Sequence, residues 1–466
     1  MSPAIEQYDN FQRGEATALA PNWRDLADRD TLPLPPTLRG ERSPNLGSTK
    51  IPVERYVSTE YHRQEVDKVW KRMWQVVCRE EEIPNVGDHF VYEVAGLSFL
   101  VVRTAARQFK AYWNVCMHRG RRLVDASGCD AKSFRCGYHA WTWNIDGQLA
   151  FYPGAWDFPD VTPEGFKLRE VPVDTWGGFI FLNPDHKAKS LAEHMGSLPR
   201  HFATWPLDKR NTLWHVQKLI NCNWKVAMEA FLESYHVVQT HPQALSSVAE
   251  HATQYDIFDE GDAQFSRLIT PSAVPSKHAK NPSALTAIRD VWAILNGLRM
   301  DDANVLPPDI HDRASLAAWR RKSLGEMTQA DYASVPDAMM LDSIQYFLFP
   351  NFCPWFGEGL PLTYQFRPNT DSPDTCYMDV WMLIRSPDCG APPPAPKMVK
   401  LGPDEHFEPV IGAMGTIFDQ DDANMPNVQI GLKTWPGDPE GTTLARYQES
   451  RIRHFHQVLG RVMAQP

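Results

Sequence analysis

Two short segments rich in cysteine and histidine constrain the fold of this chain more than any other feature. Residues 116–120 read Cys-Met-His-Arg-Gly and residues 136–141 read Cys-Gly-Tyr-His-Ala-Trp, so C-x-H is followed after seventeen residues by C-x-x-H. Two thiolates and two imidazoles can hold one metal centre only if the two segments fold as neighbouring loops. A structural zinc site of the Cys₂His₂ kind is the simplest interpretation.

The distribution of the ligands favours a different centre. Each loop supplies one cysteine and one histidine, so two thiolates can bind one iron and two imidazoles the other, as in a Rieske [2Fe–2S] centre. The segments around the loops are β-branched and aromatic, and Asp146-Gly147 is typical of a hairpin turn. We therefore expect the loops at the ends of hairpins in a small antiparallel β domain. The predicted cluster ligands are Cys116, His118, Cys136 and His139.

Composition excludes several functional classes. The 466 residues are 43% apolar and 22% charged, with a net charge of −10, and no basic block indicates a nucleic-acid or anionic-membrane partner. No apolar run is long enough for a transmembrane helix, and the first residues lack the layout of a secretory signal. The six cysteines outside the two loops are scattered, which fits a reducing compartment. We expect a cytoplasmic protein.

A second group of histidines follows in the segment NWKVAMEAFLESYHVVQTH, which starts at Asn223. On a continuous helix His236 and His241 would diverge by about 140°, but Pro242 disfavours helical geometry at His241 and can turn it towards an ion bound by His236. Glu233 lies one turn before His236. Two surface histidines are the simpler interpretation, yet a Rieske cluster needs an electron acceptor. An iron held by two histidines and one carboxylate is a suitable one.

The third iron ligand has to come from elsewhere in the chain. The segment GTIFDQDDANMPNVQIGL offers Asp419, Asp421 and Asp422. A solvated acidic turn is the simpler interpretation of such a run, and the residues alone leave the choice among the three open.

Both groups together resemble the α subunits of Rieske non-haem iron oxygenases of the aromatic-ring-hydroxylating family. Respiratory Rieske proteins carry an extra cysteine in each loop, where this chain has Arg121 and Tyr138. The string N-W-K…E-x-F…E-x-Y-H-x₄-H is similar to the family's catalytic motif. The resemblance implies that His236 and His241 bind the iron. It also implies that Glu233 bridges to the Rieske histidine of a neighbouring subunit, although the family often has Asp there.

The same resemblance extends to the acidic segment and to the fold. The family's F-x-Q-D string matches Phe418, Gln420 and Asp421, which makes Asp421 the first choice of carboxylate and Asp422 the second. The implied fold is α+β, with a small antiparallel β Rieske domain and a larger helix-grip domain, an antiparallel sheet wrapped by helices. Periodicity also predicts one helix over residues 58–78 and strands over 343–356, 362–368 and 376–386. We expect an N-terminal arm at 1–50, the Rieske domain at 51–185 and the catalytic domain at 186–466.

The function implied is that of a terminal oxygenase. Electrons would come from a separate NAD(P)H-dependent reductase, directly or through a ferredoxin, because the chain has no dinucleotide fingerprint. They would pass from the [2Fe–2S] cluster to Fe(II), which uses O₂ to hydroxylate or demethylate an apolar, aromatic or polycyclic small molecule. The family implies a homotrimer or a multiple of it, with or without a small β subunit. An electron carrier with a ligand-binding domain and a zinc-stabilised binding module remain alternatives.

Overall fold

The computed structural model describes residues 21–261, 263–298, 306–437 and 440–465. Its helices are α1 Trp23–Asp28, α2 Glu54–Val57, α3 Thr59–Glu65, α4 Leu191–Met195, α5 Leu198–His201, α6 Trp224–Ala230, α7 Val237–Thr240, α8 Ala284–Leu295, α9 Arg313–Thr328, α10 Asp337–Leu341, α11 Glu408–Ile411, α12 Gly415–Lys433 and α13 Ser450–Met463. Its strands are β1 Gln75–Arg79, β2 His89–Val94, β3 Leu97–Ala105, β4 Gln108–Trp113, β5 Ser133–Arg135, β6 Thr142–Asn144, β7 Leu149–Phe151, β8 Glu170–Val171, β9 Val173–Trp176, β10 Phe179–Leu182, β11 Arg210–Ile220, β12 Gln254–Glu260, β13 Ala263–Thr270, β14 Ser343–Leu348, β15 Phe352–Phe356, β16 Leu362–Pro368, β17 Cys376–Arg385 and β18 Val399–Leu401. Within these ranges no helix combines the length and the apolar character needed to cross a lipid bilayer.

Three small antiparallel sheets build the part of the chain that carries the Cys/His loops. Their strand orders are β2-β3-β4-β8, β5-β6-β7 and β1-β10-β9. Strands β2 and β3 are joined by a two-residue turn in which Ala95 and Gly96 have positive φ values of 51° and 75°, a geometry that matches the twist of a tight hairpin. Strand β4 precedes the first Cys/His loop, while β5 and β6 flank the second. Both loops therefore lie at strand ends.

A larger sheet of eight strands follows, in the order β12-β13-β14-β15-β16-β17-β11-β18. Its neighbours are antiparallel except for β11 and β18. Alternate residues of β14 enter different cores: Phe347 packs with residues of α6, α12 and α13, whereas Tyr346 and Leu348 pack with β10 and α10 on the opposite face. Helix α13 lies against β12 and β13. The predicted α+β class, with helices around an antiparallel sheet, is confirmed.

The N-terminal arm, described from residue 21 onwards, runs along the open edge of this sheet. The N–H of Arg42 donates to Oδ1 of Asp256 at 2.6 Å, and its carbonyl accepts from the N–H of Ile257 at 2.7 Å. Nη1 of Arg267 donates to the carbonyl of Thr37 at 2.6 Å. These contacts supply partners to strand β12, whose unpaired backbone groups would otherwise invite another chain. The first twenty residues of the predicted arm lie outside the described residues.

Two predictions of local structure are wrong in part. The predicted helix over 58–78 begins at Thr59, with Ser58 as its N-cap, but it ends after a π-helical turn at Trp70. Residues 75–79 form strand β1, because all five side chains are buried between two layers and the strand pairs with β10. The predicted strand over 343–356 is a hairpin of β14 and β15. Apolar runs buried on both faces do not distinguish a helix from a strand.

Candidate metal centres

The two Cys/His loops share the same backbone hydrogen bonds. In each, the cysteine N–H donates to the carbonyl five residues later at 2.8 Å, and the cysteine carbonyl accepts from the N–H four residues later at 3.0 Å. The donors to the carbonyls of Cys116 and Cys136 are Gly120 and Ala140, which have positive φ values of 75° and 60°. A left-handed conformation is uncommon for alanine. Each loop therefore forms a tight knuckle of the same shape.

The knuckles place the thiols inside and the imidazoles outside. Cys116 and Cys136 are buried, while His118 and His139 are half-buried with ring centroids 4.7 Å apart. The ring of Trp141 stacks on His118 at 4.8 Å. Burial and the neighbouring thiol of Cys136 raise the pKa of Cys116, so a thiolate pair here would need the positive charge of a metal. The four predicted cluster ligands thus form one pair of buried thiols and one pair of half-buried imidazoles.

The spacing of these pairs suits a two-iron cluster better than a single zinc ion. Ligands of one tetrahedral zinc, bonded at about 2.0–2.3 Å, would have to lie close together. Among the described residues, one group of three candidate metal ligands has its ligand atoms within 4.8 Å of one another, and it is the second group, His236, His241 and Asp421. The four Cys/His ligands do not converge in this way. In addition, Nδ1 of His139 is buried without a hydrogen-bond partner. A buried nitrogen left unpaired is costly, and a bond to iron would satisfy it.

The second group is built around a break between two helices. Helix α6 ends at Ala230, and α7 spans only Val237–Thr240, so the continuous helix assumed from the sequence is interrupted. Glu233 lies in the intervening turn. Its Oε2 accepts from the N–H of His236 at 3.0 Å and also from the N–H of the preceding residue. His236 and His241 therefore occupy the two ends of a single helical turn, with His241 just before Pro242.

Helix α12 brings a carboxylate to these histidines. Oδ1 of Asp421 lies 3.0 Å from Nε2 of His241 and 3.6 Å from Nε2 of His236. Asp421 is buried, and all three ligand atoms lie within 4.8 Å of one another. Asp422 points away and is paired with Nζ of Lys218 at 3.1 Å. Two imidazoles and one carboxylate on one side of an ion are a donor set that fits non-haem Fe(II).

The outer nitrogen of each histidine also has a partner. Oε1 of Glu233 lies 2.6 Å from Nδ1 of His236, and Oε1 of Gln420 lies 2.8 Å from Nδ1 of His241. Burial alone would lower the pKa of His236, but the charges of Glu233 and Asp421 outweigh it and raise the pKa to about 9. Both imidazoles are thus oriented with Nε2 towards Asp421. Such partners fix the orientation and basicity of a metal-bound histidine.

Sequence reasoning missed two members of this group. Oε1 of Gln420 accepts a second hydrogen bond, from Nε2 of Gln243 at 2.7 Å, so the amides of both glutamines hold His241 in place. In the sequence Gln420 stands out only as part of the F-x-Q-D string that contains Asp421, and Gln243 does not stand out. A glutamine two residues after a candidate histidine carries no chemical signal until the fold places it beside α12.

Comparison with known proteins agrees with this arrangement. The model of the Rieske [2Fe–2S] domain matches residues 73–160, and the model of the ring hydroxylating alpha subunit (catalytic domain) matches residues 197–465, more than half of the chain. The α subunit of biphenyl 2,3-dioxygenase from Rhodococcus jostii is 30% identical over 227 residues, 47% of this chain and 46% of that protein. The oxygenase subunit of carnitine monooxygenase from Escherichia coli is 28% identical over 200 residues, 42% of this chain and 54% of that protein. The chain therefore matches about half the length of these relatives.

The fold is also similar to that of a solved structure. The quaternary ammonium Rieske monooxygenase CntA, in complex with L-carnitine, superposes with a TM-score of 0.62 at 15% identity, over 91% of this chain and all of that one. A [2Fe–2S] cluster and a mononuclear iron are the cofactors typical of proteins with these two domains, and both donor sets described above fit them. The chain belongs to the ring-hydroxylating α-subunit family of Rieske non-haem iron oxygenases.

Proposed function

We propose that the chain is the terminal oxygenase of a multicomponent system. It would receive electrons from a separate NAD(P)H-dependent reductase, directly or through a ferredoxin, and use O₂ to oxidise a small organic molecule. The observation that carries the proposal is the convergence of His236, His241 and Asp421 within 4.8 Å, the last two buried, in a chain that also has paired Cys/His knuckles. An electron carrier would need only the knuckles.

Each predicted site residue has a role in this proposal. Cys116, His118, Cys136 and His139 would hold the cluster. His236, His241 and Asp421 would hold the mononuclear iron. When bound, the cluster supplies one electron at a time and the iron supplies open positions for O₂.

Glu233 would orient His236 by accepting a hydrogen bond from its Nδ1–H, which leaves Nε2 as the metal-binding atom. As the family resemblance implies, in an assembly Glu233 would also be the residue to meet a neighbour's cluster histidine.

For the substrate we propose an apolar organic molecule with an aromatic ring. Phe231 precedes the ligand turn, and its ring lies 5.1 Å from Tyr364 and 6.1 Å from Phe418, which is on the same helix as Asp421. The ring of Tyr364 in turn lies 5.9 Å from that of Phe418, which is about one helical turn before Asp421 on α12. Of the aromatic residues of β14 and β15, Tyr346 and other alternate residues pack on the opposite face and cannot line a site here.

A quaternary ammonium compound is the second candidate. Aromatic rings can attract a trimethylammonium group, and one relative is a carnitine monooxygenase. The described rings alone fit both substrate classes.

Oxygen consumption with a surrogate reductase tests the function. We expect NADH- and substrate-dependent O₂ uptake, with oxidised product, for one class in a panel of aromatic hydrocarbons and trimethylammonium compounds. Asp421→Ala is the matched control and should show none. Protein that holds only cluster iron would support the carrier, and colourless protein that contains zinc would support the binding module.

We also propose that the chains form a head-to-tail ring of three, or a multiple of it. A ring is the closed assembly that results when the cluster loops of one chain contact the iron site of the next. Exposed aromatic side chains lie at both surfaces of this proposed contact. Tyr138 and Trp156 near the cluster loops are 56% and 87% exposed, and Tyr235 beside His236 is 55% exposed. The proposed division at residues 1–50, 51–185 and 186–466 is supported by the family matches, which fall inside the second and third parts. A dilute monomer with full turnover, seen by light scattering with assay, would contradict the ring.

A further inference from the structure

The turn that carries Glu233 has few local means of holding its shape. It lies between two helices, and its local backbone hydrogen bonds run to the helix ends: Phe231 and Leu232 donate to Met228 and Glu229 at 3.0 Å each, and Val237 donates to the carbonyl of Ser234 at 3.4 Å. A carboxylate placed 2.6 Å from Nδ1 of His236 requires the backbone on both sides of Glu233 to be fixed. Side chains distant in sequence supply that support.

Two side chains from the sheet hold Ser234, the residue after Glu233. The N–H of Ser234 donates to the hydroxyl oxygen of Tyr255 on β12 at 3.1 Å. Its own hydroxyl lies 2.9 Å from Oγ1 of Thr270 on β13, which is also 2.9 Å from Oγ1 of Thr253. Tyr255 is 1% exposed, so water does not compete for this contact and the geometry of Ser234 follows that of the sheet.

A third side chain holds Leu232, the residue before Glu233. Nη1 of Arg451 on α13 donates to the carbonyl of Leu232 at 3.3 Å. The same guanidinium donates to Oε1 of Gln345 at 2.8 Å and to Oγ of Ser266 at 3.0 Å. These hydrogen bonds tie the turn to both β13 and β14.

Arg451 is an unusual residue to find in such a place. It is fully buried, and no carboxylate of the described residues lies within ion-pair distance of it. Burial lowers its pKa to about 10. A buried cation with only neutral partners is costly, and apolar residues could fill the volume at lower cost. Its five donors, in a fixed planar fork, can bridge three acceptors at once.

We propose that Arg451 and Tyr255 are positioning residues of the mononuclear site. They fix the carbonyl of Leu232 and the N–H of Ser234, and thereby aim the carboxylate between them at Nδ1 of His236. That orientation leaves Nε2 of His236 facing Asp421. The inference rests on the proposed function to the extent that this site must bind Fe(II), but it assigns roles to residues that contact neither metal nor substrate.

Tyr255→Phe tests the proposal with the least disturbance, because it removes only a hydroxyl oxygen. We expect the dissociation constant for Fe(II), measured by dialysis against buffered Fe(II), to rise at least about tenfold, as is typical when a group supporting a metal ligand is lost. The two cluster irons serve as an internal standard. Tyr346→Phe is the matched control: its equally buried hydroxyl bonds Arg267 and His201 on the opposite face, and the dissociation constant should not change.

Arg451→Lys is the second variant, because it keeps the charge but lacks the planar fork whose separate nitrogens reach the three acceptors. It should weaken Fe(II) binding in the same direction while leaving the visible spectrum of the cluster unchanged. Wild-type Fe(II) affinity in Tyr255→Phe, or an equal loss in Tyr346→Phe, would overturn the positioning role. Failure of the wild-type protein to bind Fe(II) at all would instead overturn the proposed function.

Discussion

Alanine substitutions at two adjacent aspartates of α12 are expected to give different defects, loss of iron in one variant and loss of stability in the other. Asp421 faces the two histidines, whereas Asp422 is paired with Lys218. Asp421→Ala removes a predicted iron ligand, so iron should fall from about three to about two atoms per chain, with the cluster spectrum kept and turnover lost. Asp422→Ala should retain the iron but lower the free energy of unfolding.

The size of the second effect follows from the burial of Lys218. Its side chain is 0% exposed and that of Asp422 is 14% exposed. Removal of one partner of a buried ion pair costs about 3–5 kcal/mol, because it leaves an uncompensated charge. Nζ of Lys218 keeps the carbonyls of Pro403, at 3.1 Å, and Glu405, so we expect the low end, about 3 kcal/mol. In a domain of about 280 residues, with an unfolding entropy of about 0.6 kcal/mol/K, that corresponds to a fall in Tm of about 5 °C.

Metal analysis and thermal unfolding followed by tryptophan fluorescence measure the two effects in one preparation. The double variant Lys218→Met/Asp422→Ala is the control, since removing both charges should restore most of the lost stability. If Asp422→Ala strips the iron and Asp421→Ala retains it, the assignment of the carboxylate is off by one residue. If both variants lose only stability, α12 supplies no ligand.

Three further outcomes are expected. Cys136→Ser should abolish the visible Rieske spectrum but leave the mononuclear iron in place; an unchanged spectrum would refute the cluster assignment. Glu233→Gln keeps an oxygen that can accept from Nδ1 of His236, so it should retain the cluster, most of the mononuclear iron and the ability to accept an electron. Reoxidation of the cluster in a single turnover should nevertheless slow at least about tenfold, equal to about 1.4 kcal/mol of barrier, because the charge is lost. Burial alone would lower the pKa of His215, but Glu82 and Asp379 raise it from 6.5 to about 9. The ring should thus stay protonated in the folded state, and its stabilisation, up to about 3 kcal/mol, is fully present below pH 6.5 and lost as pH rises through about 9. Equilibrium unfolding against pH should show this loss, and His215→Gln should flatten it.

The cluster loops could be predicted from sequence because their chemistry is local. Both knuckles repeat one short hydrogen-bond pattern, and the Cys and His residues within each are two or three positions apart. Strand β1 could not be predicted in the same way. Its apolar run continues the helical spacing of the residues before it, and only its pairing with β10, about a hundred residues later, makes it a strand.

The choice between Asp421 and Asp422 also depends on a distant element. Neighbouring residues on a helix point about 100° apart, so only one of them can face the histidines. Burial of Lys218 on β11 beside Asp422 sets that rotation. The local sequence contains both aspartates but nothing that fixes the rotation of α12, and the assignment of Asp421 as the iron ligand stays a prediction.

The different spacing of the two ligand sets has a consequence for how the protein acquires its metals. The predicted cluster ligands lie within residues 116–139, so a newly made chain could bind a cluster as soon as that one hairpin region has formed. The iron-site contacts join His241 to Gln420, 179 residues apart, and Leu232 to Arg451, 219 residues apart. Closing such long loops is opposed by chain entropy until the large sheet exists. We therefore expect cluster insertion to precede iron loading during biosynthesis, and mild denaturant to release the single iron first.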